Sequence, residues 1–523
     1  MSAHIQMRKL ASQQLHADRL IVATNRGPIE YYLSQDNELR HHRGAGGMVT
    51  ALLDTGNRME VTWVAMAMTE GDRVALNEAR QHSSVLPSPL RNQKMQLRYV
   101  AVSKTVYEKY YEKISNRILW FLQHYMHDPG TVSPARWLQD AWTNGYTVAN
   151  KAIAEAVSKE IECEEGSALV MVHDYHLYLA PMMIRERHPD VVIHQFIHIP
   201  WPDVRCWHFL PSNIVGDIYR GLLGNDLIGF QTERDARNFL EGAQTLFEDA
   251  DVDFEDGTVA WQGRRTRVRA YPISVSVEGE RRLVQSAAGR RAAEQIRPLL
   301  REKTIMRVDR IEPTKNILRG FQAYAQVLDE HPELHGKVAF LAFLVPSRQA
   351  IPQYKRYVHK VLKIIEDINA KYGTDEWRPI QALWGNDRTR AIAAMQFYDV
   401  LLVNPLIDGM NLVAKEGLVV NQRHGVLVLS RTAGAFEQLA KASIPTSPTD
   451  VAETAQALYT ALTLAPADRR AKAVLGCQIV ERYDLDAWLT HQIHDMNAVL
   501  TKRAFSLSLT EEPDPPALTA RVI

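Results

Sequence analysis

The chain has 523 residues, and its 61 basic and 61 acidic side chains give a formal net charge of zero. That length allows two or three domains around a large core, and the even charge argues against general nucleic-acid binding, which needs a basic excess. The three cysteines (Cys163, Cys206 and Cys477) are far apart, with no metal or disulfide spacing, as expected in a reducing compartment. No apolar run approaches the roughly 18 residues of a membrane span. Met1 to Asp18 is polar and lacks the apolar stretch of a signal peptide, so residues 1–18 read as a flexible lead and the setting as cytoplasmic.

Leu20 to Thr24 is a short apolar strand ending in Asn25-Arg26-Gly27-Pro28. Arg26 at a strand end is suited to a forked grip on phosphate, although a plain surface arginine has the same signature. Arg43-Gly44-Ala45-Gly46-Gly47 opens a helical pattern at Val49, Leu52 and Leu53. It is either an anion cradle or a flexible turn. It is not a dinucleotide fingerprint, because Val49 replaces the third glycine and no strand is expected directly before it. Tyr107 to Asp128 is aromatic-rich, with Tyr111, Trp120, Phe121, His124 and Tyr125. These rings are either core or the wall of a polyhydroxyl site, and Tyr111, Ser115 and Trp120 do not share one α-helical stripe.

Tyr146 to Ile161 has helical spacing. The strands Ala168–Val172 and Val191–Ile197 end in His173-Asp174-Tyr175-His176 and His198-Ile199-Pro200-Trp201-Pro202, and Leu227–Phe230 follows. Polar residues crowding successive strand ends indicate a parallel sheet with one active edge. His173 and His176 are three apart, but no metalloprotease spacing or acidic third ligand accompanies them, so no metal is expected. The acidic stretch Phe247 to Gly257 fails as a calcium loop at Phe254 and Ala260 and reads as a solvated turn.

Ala270 to Ser274 is the candidate hinge. Beyond it the alternation restarts: strand Thr304–Val308, helix Leu318–Leu328, strand Val338–Phe343, helix Ile351–Tyr372, strand Ile380–Trp384 and helix Arg388–Phe397. Arg310, Lys315 and Arg348 follow strand ends, where cations would clamp a pyrophosphate. Tyr398–Val403 then leads into Asn404-Pro405-Leu406-Ile407-Asp408-Gly409-Met410-Asn411, a helix from Leu412, and the strand Val426–Ser430. That loop sits at the carboxyl edge of a parallel sheet, where open α/β sheets bind ligands. Its helix start suits a phosphate. The alternative is an ordinary loop capped by Asn411 or Asp408. Pro466 starts a largely helical stretch, Ala467–Val499, and residues 504–523 read as a disordered tail.

Taken in order, Asn25-Arg26, Gly46-Gly47, Tyr111 to Trp120, Val172 to His176, His198 to Pro200, Arg310 with Lys315, and Asp408 to Glu416 resemble the trehalose-6-phosphate synthases. The resemblance covers roughly residues 19–500, and its most specific phrase is Asp408 to Glu416. It implies an α/β chain of GT-B fold, two facing Rossmann-like domains with an interdomain active-site cleft. The domains would be 19–270 on the acceptor side and 271–480 on the nucleotide-sugar side, with a helix at 481–503 packing back on the first.

The implied activity is retaining transfer of glucose from a nucleoside-diphosphate glucose to glucose 6-phosphate, without cofactor or metal. No nucleic-acid or membrane partner is implied; a homo-oligomer is compatible. By resemblance, Arg310 and Lys315 neutralise the donor diphosphate, Leu412 and Val413 cradle it, and Glu416 meets the ribose. Asp408, Gly409, Met410 and Asn411 hold the donor glucose, His198 meets its C6 hydroxyl, and Gly46 and Gly47 close over the donor. Arg26, Tyr111 and Arg348 grip the acceptor phosphate, with Trp120 and Asp174 around the acceptor sugar.

Three departures are visible. Ile311-Glu312-Pro313-Thr314-Lys315-Asn316 replaces the usual Leu-Asp-Tyr-Thr-Lys-Gly, Arg431-Thr432-Ala433-Gly434-Ala435-Phe436 stands where the family usually has an acidic and an aromatic residue, and Trp201 stands where phenylalanine is common. They leave the base (uridine, guanosine or adenosine) open. The competing expectations are another phosphorylated acceptor, as in glucosylglycerol-phosphate or pseudo-disaccharide phosphate synthases, and a non-catalytic sugar-phosphate-binding protein.

Overall fold

The computed structural model describes residues 16–44, 60–82, 85–87, 89, 95–127, 135–163, 166–348 and 351–510. The expected glycine loop, with Gly46 and Gly47, lies outside the described residues. So do residues 1–15 of the expected lead and 511–523 of the expected tail.

Two sheets form where short apolar runs alternate with amphipathic helices. The N-terminal half supplies β1 (Arg19–Thr24), β2 (Ile29–Leu33), β3 (Leu39–Arg43), β4 (Glu60–Met66), β5 (Leu86–Pro87) and β6 (Met95–Val100). It continues with β7 (Ala168–His173), β8 (Val192–Phe196), β9 (Leu227–Phe230), β10 (Asp251–Asp253), β11 (Thr258–Trp261) and β12 (Arg264–Ala270). Ten of these make one sheet in the order β10-β11-β12-β9-β8-β7-β1-β4-β6-β5, and β2 pairs with β3 separately. From β12 to β6 the neighbours are parallel. The C-terminal half supplies β13 (Lys303–Ile311), β14 (Val338–Pro346), β15 (Ile380–Trp384), β16 (Val400–Val403), β17 (Val426–Ser430) and β18 (Ser443–Thr446). They form one parallel sheet ordered β15-β14-β13-β16-β17-β18. Strands β8, β9, β16 and β17 are buried along their whole length, as expected of parallel strands covered by helices on both faces.

The sequence reading needs correction in several places. β3 directly precedes the glycine loop, although it belongs to a small hairpin and not to the main sheet. The acidic stretch is not simply a turn. Its Asp251–Asp253 is β10 itself, which pairs antiparallel with β11 just after the stretch, where Val259 and Trp261 alternate into the core. The C-terminal helical stretch is two helices, Pro466–Arg482 and Leu485–Thr510, broken at Tyr483, where Asp484 accepts the Ala487 N–H at 2.9 Å. The second helix therefore runs into the expected tail. Of the expected lead, residues 16–18 are tied down: His16 N–H donates to Asn497 Oδ1 at 2.8 Å, and Asp18 accepts from the Ser167 N–H at 2.8 Å.

The chain crosses between the halves at residues 271–276 and returns before Leu485. On the return helix, Trp488 stacks edge-on against Phe196, and Gln492 Oε1 lies 2.9 Å from His194 Nε2. That helix thus packs under β8 of the first sheet. The carboxyl ends of the parallel strands of both sheets meet across a common cleft.

Candidate active site

On the N-terminal side, the strand ends β1, β7 and β8 present Arg26, Asp174 and His198. Arg26 is exposed, and its carbonyl accepts the Thr24 hydroxyl at 2.7 Å, which fixes the turn. Asp174 is held at φ 71, the left-handed region that non-glycine residues rarely occupy. Its carboxylate accepts the His198 backbone N–H at 3.2 Å. Burial pushes the Asp174 carboxyl up to about 6, against N–H groups and Arg348, which favour its charge. Burial pushes His198 down to about 3, so its ring is neutral, and its Nε2 lies 3.3 Å from His173 Nδ1.

The aromatic-rich stretch is one helical segment from Lys104 to Gln123, whose middle, Glu108–Leu119, is wound as a π-helix. The wider turn brings residues five apart together: Ser115 Oγ donates to the Tyr110 carbonyl at 2.8 Å, and Asn116 Nδ2 to the Tyr111 carbonyl at 3.0 Å. This is why Tyr111, Ser115 and Trp120 follow no α-helical stripe. The two readings of the aromatics both apply. Tyr110 is core, while Tyr111 and Trp120 line the cleft. Tyr111 stacks on His176 with ring centres 5.8 Å apart.

On the C-terminal side, the helix Leu412–Val420 starts from Asn411 at φ 76, and no side chain caps it. Asn411 Nδ2 instead donates to Asp408 Oδ2 at 3.0 Å, and Asp408 pairs with Lys315. The ordinary-cap reading of this loop therefore fails, and among the described residues no side chain accepts from the first backbone N–H groups of the helix. Lys315 is placed by Arg307, a fully buried side chain whose Nη2 donates to the Lys315 carbonyl at 3.0 Å. Burial opposes both charges of the Lys315–Asp408 pair. Each nonetheless stabilises the other, so Asp408 stays below the ordinary carboxylate value and Lys315 above the ordinary ammonium value. Gly409 and Met410 are buried in the loop, and backbone bonds from Gly434 N–H to the Asp408 carbonyl and from Ala435 N–H to the Met410 carbonyl, both 2.9 Å, brace it. Leu412 and Val413 form the first turn.

The halves touch through Arg348, itself at φ 45. Its guanidinium lies 4.0 Å from the centre of the Trp120 ring, and its Nη2 is 3.4 Å from the Tyr175 hydroxyl. Arg310 also lies over Trp120, at 5.8 Å. The cleft has a volume of about 880 Å³, and Arg26, Tyr111, Trp120, Asp174, His198, Arg310, Arg348, Asp408 and Gly409 line it together.

Glu416 sits apart from that cluster, in a corner with Arg388 and Glu280. Arg388 pairs with Glu280 and lies 3.4 Å from Glu416 Oε1. Burial, and then Glu280, raise the Glu416 carboxyl to about 7. Arg388 was missed in the sequence, although it follows the end of β15 much as Arg348 follows β14. Glu280 has no local signal, because it enters from the segment after the crossing. Trp201 and Arg431 both line a second pocket between the halves, which shares His124 and Asp408 with the cleft and lies apart from the Glu416 corner. Trp201 is a core residue, 1% exposed, among Trp207, Tyr219, Phe230 and Phe239. Arg431 follows β17 and pairs with Glu453 at 2.7 Å. Three strands (β14, β13 and β16) separate β17 from β15, which leads to the Arg388 corner.

Among the described residues no helix is long and apolar enough to cross a membrane, and no group of three or more His, Cys, Asp or Glu side chains could hold a metal ion.

The family model for glycosyltransferase family 20 matches residues 18–498. The chain is 32% identical over 499 residues to a bifunctional trehalose-6-phosphate synthase/phosphatase of Thermoproteus tenax, covering 93% of this chain and 64% of that longer protein. It is 30% identical to a UDP-forming alpha,alpha-trehalose-phosphate synthase of Schizosaccharomyces pombe, covering 93% of this chain and 92% of the relative. It is 29% identical to a validamine 7-phosphate valienyltransferase of Streptomyces hygroscopicus, covering 92% and 94%. Among solved structures, a trehalose-6-phosphate protein from E. coli bound with UDP-2-fluoro glucose superposes with a TM-score of 0.78 at 26% identity, covering 92% and 99%. A UDP-forming alpha,alpha-trehalose-phosphate synthase from Burkholderia xenovorans in complex with glucose-6-phosphate gives 0.75 at 25% identity, covering 91% and 99%. The two-sheet architecture is the GT-B fold. With its family model matched from end to end of both sheets, the chain belongs to glycosyltransferase family 20.

Proposed function

We propose that the chain moves glucose from a nucleoside-diphosphate glucose to glucose 6-phosphate with retention, giving alpha,alpha-trehalose 6-phosphate and a nucleoside diphosphate. The observation that carries this reading is the single cleft with two opposed polar walls. One has Arg310 and Asp408, with Lys315 paired to Asp408 and the uncapped helix start at Leu412 following in the same loop; the other has Arg26, Tyr111 and Asp174, with Arg348 reaching across. The first wall takes the diphosphate on the N–H groups of Leu412 and Val413 and the two cations. Asp408, Gly409, Met410 and Asn411 hold the glucose, His198 meets its C6 hydroxyl as a neutral ring, and Glu416 accepts from the ribose. Arg26, Tyr111 and Arg348 take the acceptor phosphate, and Trp120 and Asp174 line the acceptor sugar.

In the reaction the C1–O bond to the diphosphate breaks, its electron pair stays on the phosphate oxygen, and Arg310, Lys315 and the helix start stabilise that charge. The acceptor oxygen bonds to C1 from the same face, and its proton passes to the departing phosphate. No protein nucleophile is required. Because the countercharge comes from side chains and backbone N–H groups, turnover should be insensitive to a chelator.

A second reading keeps the donor and changes the acceptor. The valienyltransferase relative, which matches this chain almost as well as the synthases do, favours it. The test is nucleoside diphosphate release from UDP-, GDP- and ADP-glucose against glucose 6-phosphate, glycerol 3-phosphate and cyclic polyol phosphates. Release with glucose 6-phosphate supports the first reading, and release only with another acceptor supports the second. Release from no pair would leave a sugar-phosphate-binding protein.

A further inference from the structure

Glu312 is fully buried, 0% exposed, and among the described residues no group donates a hydrogen bond to either of its carboxylate oxygens. A buried carboxylate in that state is costly unless cations offset it. Its two cations come from different strand ends: Arg310 Nη2 is 3.1 Å from Oε1, and Arg348 Nη1 is 3.9 Å from Oε2. Both guanidinium groups also lie over the ring of Trp120. Two cations sharing one ring would repel each other, and Glu312 is the charge placed between them. Among the described residues the Arg348 guanidinium donates to neutral hydroxyls, those of Tyr354 at 2.8 Å and Tyr175 at 3.4 Å.

We infer that Glu312 is a positioning residue that orients Arg310 and Arg348 together, so that one buried carboxylate sets the geometry of both phosphate subsites. This deepens the proposed function and rests on its assignment of Arg310 to the donor and Arg348 to the acceptor. An arginine has donors on several edges. Each guanidinium can keep one edge on Glu312 and turn another to the cleft, where the proposed phosphates lie. Loss of the carboxylate charge frees both groups at once, although Glu312 touches neither proposed substrate.

The test measures kcat and KM for UDP-glucose and for glucose 6-phosphate, with melting temperatures, in wild type, Glu312→Gln and Glu312→Asp. Glu312→Gln should lower kcat/KM for both substrates by at least about tenfold, the scale of a small misplacement of reacting groups. Glu312→Asp keeps the charge and should recover most of both losses. A loss confined to one substrate, an aspartate no better than the glutamine, or tighter UDP binding with unchanged kcat would overturn the inference. Should Glu312→Gln fail to fold, the aspartate variant alone decides, because its smaller loss must still fall on both substrates.

The inference and the proposed function fail separately. If the wild-type chain turns over neither substrate, the function reading is wrong. Inorganic pyrophosphate, titrated by calorimetry into the same three proteins, still reads the arginines. Binding weaker in Glu312→Gln than in wild type, and recovered in Glu312→Asp, supports the role of Glu312; equal binding in all three removes it.

Discussion

The carbonyl oxygen of His198 approaches Gly409 so closely that a Cβ built on Gly409 would lie 2.3 Å from it. His198 ends β8 in one domain and Gly409 follows β16 in the other, so this is a backbone contact between domains. Glycine is needed there for close approach and not for an unusual φ. Gly434 is pressed in turn against the Gly409 carbonyl, 1.8 Å from a built Cβ, so the loop cannot retreat. Gly409→Ala should therefore hold the domains apart and lower kcat/KM by about 100-fold, read by nucleoside diphosphate release. Near-normal turnover would mean that the working state lacks this contact.

Lys315→Ala should lower kcat by about 100- to 1,000-fold through loss of charge stabilisation at the leaving group. It also strands Asp408, whose carboxyl only its neighbours keep below the ordinary value against burial. The single variant should thus melt lower than wild type. The double variant Lys315→Ala/Asp408→Asn should regain stability without regaining turnover, because an unpaired buried charge costs more than an absent pair. A double variant that melts as low as the single one would show that the pair is not what stabilises this corner.

Glu416 makes a pH prediction. Its folded pKa is raised from 4.5 to about 7, by burial first and then by Glu280. Accepting a ribose hydroxyl needs the carboxylate, so kcat/KM for the donor should fall as pH drops through about 7. Glu416→Gln should flatten that limb, and Glu280→Gln should move it to lower pH. The stability sign is opposite. The folded state holds the extra proton between pH 4.5 and about 7, so this contribution is fully present below the lower value and is lost as pH rises to the upper one. Wild type should lose stability relative to Glu416→Gln across that window in melts at fixed ionic strength.

Arg26→Ala should raise the acceptor KM by roughly 10- to 100-fold, the value of a charge-assisted hydrogen bond, and leave the donor KM unchanged. Arg26 is exposed, so the melting temperature should move little. An unchanged acceptor KM would remove it from the site.

Much of this was legible because parallel strands state their ends plainly. Asp174, His198, Arg310 and Arg348 each stand within a few residues of a buried apolar run, and that is where the cleft lies. What stayed hidden depends on partners distant in sequence. Nothing around Glu312 tells that Arg348 will meet it, since the contact needs β13 and β14 in register. The pairing of Asp408 with Lys315 spans a strand exchange. The wide helical turns at Glu108–Leu119 broke the periodicity that would have sorted core rings from cleft rings.

The two passages of the chain between domains lie side by side: Leu485 N–H donates to the Val275 carbonyl at 3.1 Å, and Trp488 Nε1 to the Tyr271 carbonyl at 3.1 Å. Lys415, from the helix below the donor wall, ties in at the same place, its Nζ donating to the Ile273 carbonyl at 2.7 Å. Adjacent, bonded crossings behave like two knuckles on one pin. They leave the domains free to swing about a single axis and resist sliding or twisting. Lys415, bonded at the pin, hardly travels, while the contact of Arg348 with Trp120, which neither crossing segment supplies, has to part in such a swing. Opening would thus part the proposed acceptor grip, and scattering profiles with and without UDP should interpolate along that one swing.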